Sequence, residues 1–314
     1  MRKRYVAMAV TTGLIGLGGA TAVASAAPYQ PTVSVGGAVA SPATYTRSAL
    51  AAMPQTTFDV TVPTRGGTRT VVYEGVSLET LVDTSAPELP DVKNALLTAI
   101  ITVRGLFGTQ RTFALGELDP MFGNHPAYLA LEQGGWPLPA PELVVPGDSN
   151  DARSVPAVSR IGVAIEDPAV TPPAEVGALD VEDGGYTAVL SPSELASLPE
   201  QTLTVSYIGP FGVSTHTETG PTLDEVLGAA HIRPDFNTWV AGVGSDDYVA
   251  IVTPAEAWVG GRPLLISLAQ DGTTFLSEGE GPRLVTDGDV YGGRYDSGMD
   301  DLVVGDTQPG PWWW

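Results

Sequence analysis

The chain has 314 residues, with 36 Asp and Glu against 15 Lys and Arg, a formal charge of −21, and no cysteine. Disulfides, thiolate metal ligands and a cysteine nucleophile are therefore excluded, and a surface of this sign repels nucleic acid and anionic lipid. The length is enough for one large core or two domain-sized ones.

Taken in order, the chain opens with a basic start (Arg2, Lys3, Arg4), an apolar stretch and the small residues Ala24, Ser25 and Ala26. This is the grammar of a secretory signal peptide over residues 1–26, which places the mature protein outside the cytoplasm. A retained anchor is the alternative, although the glycines of the stretch make a weak span. No later apolar stretch is long enough to cross a membrane. With the leader removed, 12 basic residues face 36 acidic ones, a balance of −24, and Lys93 is the one lysine left.

An edge strand is expected around Thr32 to Val39 and a short helix from Thr44 to Pro54, closed by the proline. Thr56 to Val62 alternates as a half-buried strand, and Gly66-Gly67 turns it into a second strand, Thr68 to Gly75. Leu78, Leu81 and Val82 stand at helical spacing within Val76 to Ser85. Strands follow at Ala99 to Gly105, Gln110 to Leu118 (running into a turn), Ala127 to Gly135, Leu143 to Val145 and Arg160 to Glu166. Residues 167–177, Pro-rich and without periodicity, read as a linker.

The same order then returns. LSPSELASLPEQTLTVSY (Leu190 to Tyr207) mirrors TYTRSALAAMPQTTFDVTV, and the helical stretch Thr222 to Ala230 mirrors Ser77 to Ser85. Val240 to Glu256 mirrors Ile101 to Glu117, and Leu264 to Gly272 mirrors the stretch from Tyr128 to Gly135. The clearest echo is LVVPGDSNDAR (Leu143 to Arg153) against LVTDGDVYGGR (Leu284 to Arg294), where leucine, glycine, aspartate and arginine coincide at a constant shift of 141 residues. Such internal similarity implies one module written twice, over residues 27–166 and 178–305. The tail, residues 306–314, falls outside it.

Two readings of the echoed motif stand side by side. Asp148 and Asp289 cap turns and Arg153 and Arg294 pin the loops through ion pairs, or the arginines sit at a pocket mouth and grip an anionic or polar heterocyclic ligand with their planar forks.

Together these motifs resemble the molybdopterin-binding domain of the sulfite oxidase family, met twice. The first copy carries the likeness at Gly75-Val76-Ser77-Leu78, Gly134-Gly135, Leu143 to Pro146 and Arg153. The second carries it at Gly220 to Leu223, Ser245-Asp246-Asp247-Tyr248, Asp271-Gly272, Leu284-Val285 and Arg294. The resemblance implies an α+β fold of two tandem modules, each of mixed β-sheets with short helices. It also implies a ligand site in which Arg153 and Arg294 hold polar groups, Tyr248 stacks on a ring, and Asp148, Asp289 and Asp247 shape the loops.

The departures bear on activity. The family holds molybdenum through a cysteine thiolate, and here the matching region falls near Val60 to Val62 and Val205 to Tyr207, where Asp59, Thr and Ser are the polar side chains. An oxygen ligand does not simply replace a thiolate on a soft, redox-active centre. The leader lacks a clear twin-arginine motif, and the first copy has Leu106 to Arg111 where the second has its Ser-Asp-Asp-Tyr stretch. The expectation is a secreted, non-catalytic binding protein on this fold, with a pterin or similar heterocycle, without molybdenum, as its ligand. A molybdopterin-dependent oxidoreductase with non-cysteine ligation and a structural or partner-binding envelope protein are the alternatives, the last using Trp312, Trp313 and Trp314 as a partner surface.

Other chemistry is sparsely represented. His125, His216 and His231 lack metal-ligand spacing, and no phosphate-cradling loop or Gly-x-Ser-x-Gly elbow occurs. The acidic group Asp287, Asp289, Asp296, Asp300 and Asp301 misses the EF-hand pattern, with Gly298 where its bidentate Glu belongs. Asp246 and Asp247, as strand neighbours, point to opposite faces and make a poor acid/base couple.

Overall fold

Strands dominate the molecule, and the helices are short. The structure, a computed structural model, describes residues 31–166, 168, 173, 175–276 and 280–306. The expected signal peptide, most of the linker and the tryptophan tail lie outside the described residues.

The first half runs β1 (Thr32–Gly37), β2 (Ala43–Thr46), α1 (Arg47–Ala51), β3 (Thr56–Thr64), β4 (Gly67–Ser77) and α2 (Leu78–Thr84). A 3-10 turn, Ala95–Thr98, leads to β5 (Ala99–Gly105), β6 (Gln110–Ala114), α3 (Leu115–Leu118), β7 (Tyr128–Gln133), β8 (Trp136–Val144) and β9 (Val158–Ile165). The second half runs β10 (Leu179–Asp183), β11 (Tyr186–Leu190), α4 (Pro192–Leu195), β12 (Gln201–Gly209), β13 (Gly212–Gly220), α5 (Leu223–Ala229), β14 (Thr238–Gly244) and β15 (Val249–Val252). It ends with α6 (Pro254–Trp258), β16 (Leu264–Ser267), β17 (Ala269–Gln270), β18 (Thr273–Thr274), β19 (Arg283–Thr286), a 3-10 turn at Gly292–Arg294, and β20 (Met299–Asp306).

Each half builds a five-stranded mixed sheet, in the orders β2-β1-β9-β5-β6 and β11-β10-β20-β14-β15. In each, one pair is parallel (β1 with β9, β10 with β20) and the other pairs are antiparallel. One face of each sheet carries its own core: Val33, Val35, Ile101, Val103 and Ile161 in the first, Leu179, Val181, Val240, Leu302 and Val304 in the second. The helices close these cores with one stripe apiece. Leu78, Leu81 and Val82 of α2 and Leu223, Val226 and Leu227 of α5 are buried at i, i+3, i+4 spacing. Ser77 and Thr222 cap the two helices, Thr222 within a full capping box with Glu225.

Behind each core lies a hairpin layer, β3-β4-β7-β8 in the first half and β12-β13-β17-β18 with the pair β16-β19 in the second. Both layers turn back on a two-residue loop whose residues are left-handed: Gly134 and Gly135 (φ 60 and 78) and Asp271 and Gly272 (φ 52 and 81). Loops of this kind match the twist of the strands they join.

Several elements depart from the sequence reading. β8 begins at Trp136, well before the Leu143 expected from the apolar pattern. Its prolines at 137, 139 and 141 argue against a strand, yet spaced two apart they lose their N–H on the same side, which an edge strand tolerates, and β8 is an edge. The expected helix from Thr44 to Pro54 is halved, because Ala43–Thr46 pairs with β1 as a strand and Thr46 becomes the N-cap of α1. Ser245 to Tyr248 make the β14–β15 turn rather than a strand, with Asp247 at φ 62.

The outer faces of the two five-stranded sheets meet each other. Ile100 and Ala114 of the first half pack with Trp239, Ala241, Val243, Val249 and Ile251 of the second in one apolar cluster.

Candidate functional site

The echoed loops follow β8 and β19 and meet at the contact between the halves. Arg153 donates from Nε to Asp148 Oδ2 (2.8 Å), from Nη2 to Asp148 Oδ1 (2.5 Å) and from Nη1 to Glu117 Oε1 (2.6 Å). Arg294 repeats the pattern, with Nε to Asp289 Oδ2 (2.9 Å), Nη2 to Asp289 Oδ1 (2.6 Å) and Nη1 to Glu256 Oε2 (2.7 Å). All three nitrogens of each guanidinium are committed. Both arginines and both glutamates are 0% exposed, so these are ion pairs in a low-dielectric setting, where an arginine fork is the suitable cation.

Electrostatics follow from that burial. Glu117 and Glu256 are pushed above the usual carboxylate range by burial, against the pull of Arg153 and Arg294; Glu117 also raises Glu256 across the contact. Burial draws both guanidinium groups down, but their carboxylate partners outweigh it and leave them firmly charged.

His125 stands beside the first network, 5% exposed, with Nδ1 3.4 Å from Glu117 Oε1 and Nε2 3.5 Å from Asp148 Oδ1. Burial, reinforced by Arg153, lowers it to about 4, so it is neutral at pH 7. The motif glycine is explained by this ring: a Cβ on Gly147 would fall 2.3 Å from His125 Nε2. Gly288, its counterpart, does need a left-handed backbone, at φ 85.

Each loop also crosses to the other half. Ser149 N–H donates to Val259 O (2.7 Å), Val290 N–H to Phe122 O (2.8 Å) and Tyr291 N–H to Met121 O (3.1 Å). A Cβ on Gly116 would lie 3.0 Å from Arg294 Cδ, and one on Gly293 2.1 Å from Phe122 Cε1. Glycine at these two positions leaves room for the Arg294 and Phe122 side chains of the opposite half. Of the two arrangements open to the motif, the geometry is the ion-paired one, and the arginines do not sit at a pocket mouth.

Tyr248 is likewise engaged between the halves. Its Oη accepts from Asn94 Nδ2 (2.7 Å) and donates to Gly293 O (2.5 Å), while Lys93 Nζ lies 5.5 Å from the ring centroid. Asp247 is exposed at the tip of its turn, apart from both buried arginine networks. Of the six residues expected to form one ligand site, the structure thus divides four between two buried ion networks, gives Tyr248 to the contact between halves, and leaves Asp247 in solvent.

Glu117 and Glu256 were missed in the sequence, and His125, weighed there only as a metal ligand, is instead a buried neighbour of the first network. The signal was there for the glutamates: each ends one of the mirrored stretches, Ile101 to Glu117 and Val240 to Glu256, and a carboxylate matched in two apolar stretches calls for a buried partner.

The acidic residues near the C-terminal end disperse. Asp289 pairs with Arg294, whereas Asp296 is 2% exposed and is pushed up to about 8 by burial and then by Asp246 and Asp300. Among the described residues no three His, Asp or Glu side chains are grouped to hold a metal ion. His216 pairs with Asp271 at 2.8 Å on the rim of β13, and His231 occupies a left-handed turn position at φ 61.

The molybdenum cofactor implied by the family likeness can be tested against the donor set. The strands that match the cysteine region, β3 and β12, form unbroken ladders with β4 and β13, from Thr56–Gly75 to Thr64–Gly67 and from Gln201–Gly220 to Gly209–Gly212. Their polar side chains, Asp59, Thr61 and Ser206, are exposed, and Ser206 Oγ lies 2.8 Å from Thr215 Oγ1. Hard oxygens on a solvent face do not fit a soft metal centre.

No family model and no curated protein match the chain. Among solved structures it is similar to the sulfane dehydrogenase SoxCD from Paracoccus pantotrophus, at 17% identity and a TM-score of 0.35, over 70% of this chain and 58% of that one. The chain therefore spans less than two thirds of that enzyme chain.

Proposed function

We propose that this is an exported, non-catalytic structural or partner-binding protein, made of two copies of a molybdopterin-domain-like module whose echoed loops weld the copies together. The single observation behind this reading is the state of the motif arginines: both are fully buried, and every guanidinium nitrogen serves a carboxylate of the chain. Groups spent in this way are not available to grip a pterin. The oxygen-only donor set at β3 and β12 counts in the same direction against molybdenum chemistry.

Duplication is supported by the shared strand orders, the shared parallel pair and the shift of 141 residues that carries Asp148 and Arg153 onto Asp289 and Arg294. Export is supported by residues 1–26, and a partner surface by Trp312, Trp313 and Trp314. No helix among the described residues is long and apolar enough to cross a membrane.

The test is elemental analysis for molybdenum on protein purified from its native host, with fluorescence of material released on denaturation. Neither signal is expected. Molybdenum at about one per chain would overturn the proposal, and a released pterin would restore a heterocycle-binding role.

A further inference from the structure

On the second half a groove of about 300 Å³ opens between α5, α6 and the start of β16. Trp258 forms one wall, with Asp224, Gln201, Leu264, Pro254 and Pro263 around it. The indole is half-buried and fixed in place: Nε1 donates to Asp224 Oδ2 at 2.7 Å, and Phe236 packs edge-on against the ring at 5.4 Å and 83°. Phe236 is held in turn by Arg111 of the first half, whose guanidinium lies 5.1 Å from the ring centroid, and by its carbonyl, which accepts from Thr112 N–H. An aromatic plate held from two sides, beside a carboxylate and a carboxamide, is a preorganised surface rather than an incidental exposed side chain.

The matched positions of the first half are built differently. Counting from Glu117 and Glu256, Asp119 stands where Trp258 does; counting from Leu78 and Leu223, Glu79 stands where Asp224 does. Burial, then Asp119 and Asp83, push Glu79 up to about 7. The first half thus places mutually repelling carboxyl groups where the second places a hydrogen-bonded indole and carboxylate.

We propose that the Trp258 groove binds a neutral hexopyranose unit, its C–H face on the indole and its hydroxyl groups on Asp224 and Gln201. An indole face supplies large apolar area with little side-chain entropy to lose, and carboxylate and amide groups are acceptors and donors suited to adjacent hydroxyls. The net charge and the pair Asp224-Glu225 turn away anionic ligands. A quaternary ammonium ligand is the competitor, but it is typically enclosed by several aromatic walls, and the groove supplies one. The proposal goes beyond the structural reading above and does not depend on it; only the contrast between halves uses the duplication.

The test titrates the full chain with maltose, cellobiose and N,N′-diacetylchitobiose, followed by tryptophan fluorescence and calorimetry. At least one should saturate with a half-point on the order of 1 mM, and Trp258→Ala and Asp224→Ala should each weaken it by about tenfold or more. Trp136→Ala, which removes another indole, 78% exposed, should leave it unchanged. Trp258→Phe keeps a ring against Phe236, so a weakened calorimetric response in this variant with an unaltered far-ultraviolet dichroism spectrum and unfolding midpoint separates lost binding from lost folding. The proposal fails if none of the three sugars saturates, if the response survives in Trp258→Ala, or if choline binds where the sugars do not.

Discussion

Tyr248 and Asn94, 154 residues apart, share a hydrogen bond of 2.7 Å, and the same tyrosine hydroxyl donates to Gly293 O. One phenol therefore ties the 3-10 turn region of the first half to the β14–β15 turn and the echoed loop of the second. Burial raises its pKa, so it remains a neutral donor. Tyr248→Phe should destabilise the protein by about 1–3 kcal/mol, because two partners are left without a buried hydroxyl. A double-mutant cycle with Asn94→Ala, read by urea unfolding, should give a coupling on the order of 1 kcal/mol. Strict additivity would mean that the bond does not contribute.

Removing one arginine should be far more damaging than removing its whole network. Arg294→Met strands Glu256 and Asp289, both almost without solvent contact, and a buried pair broken on one side costs about 3–5 kcal/mol. Neutralising the carboxylates as well, in Glu256→Gln/Asp289→Asn/Arg294→Met, should recover a large part of that loss. The measurement is the unfolding midpoint of the single and triple variants. A triple variant as unstable as the sum of its parts would contradict the ion-pair account.

These networks show what the sequence could and could not convey. Local patterns located most strands of the first half, the two leucine-striped helices and the Gly134-Gly135 and Asp271-Gly272 turns, but not β2, β10, β11 or β20. The shift of 141 residues singled out Asp148, Arg153, Asp289 and Arg294, yet their partners Glu117 and Glu256 lie 36 and 38 residues before the arginines. Contacts at that range carry no period. The same holds for Tyr248, which looks free to stack on a ligand until Asn94 arrives from the other half, and for Gly147, whose role is set by the His125 ring rather than by a turn. Proline spacing in β8 was legible as an edge strand only once the neighbours on one side were known.

His125 should make the protein acid-sensitive. Its folded pKa is about 4 against an ordinary value of 6.5, so the unfolded chain takes up a proton over that window and the folded chain refuses it. Stability is then lost as pH falls from about 6.5 to about 4. Arg153 and Arg262 oppose the proton, while Asp148 and Glu256 favour it and burial dominates. Across the window the contribution amounts to about 3 kcal/mol. His125→Gln should remove it, so the stability difference between wild type and variant should change by that order between pH 7 and pH 4. A constant difference would show that His125 does not titrate as its burial requires.

Asp296 should act in the opposite sense. Its carboxyl is 2% exposed and pushed up to about 8, and a Cβ on Gly244 would lie 2.9 Å from both Asp296 Oδ1 and Asp246 Oδ1, which shows how closely the two side chains approach one strand residue. Unfolded, the group ionises near 3.8; folded, it keeps its proton until about 8. Over that window the folded state holds the extra proton, so the contribution of Asp296 to stability falls as pH rises and is most unfavourable above pH 8. Asp296→Asn mimics the protonated acid without titrating. The variant should gain on the wild type as pH rises from 5 to 9, by an amount on the order of 4 kcal/mol if the whole shift is expressed. Denaturant unfolding across that range checks it, and two stability curves that run parallel would remove the carboxyl from any account of how pH acts on this fold.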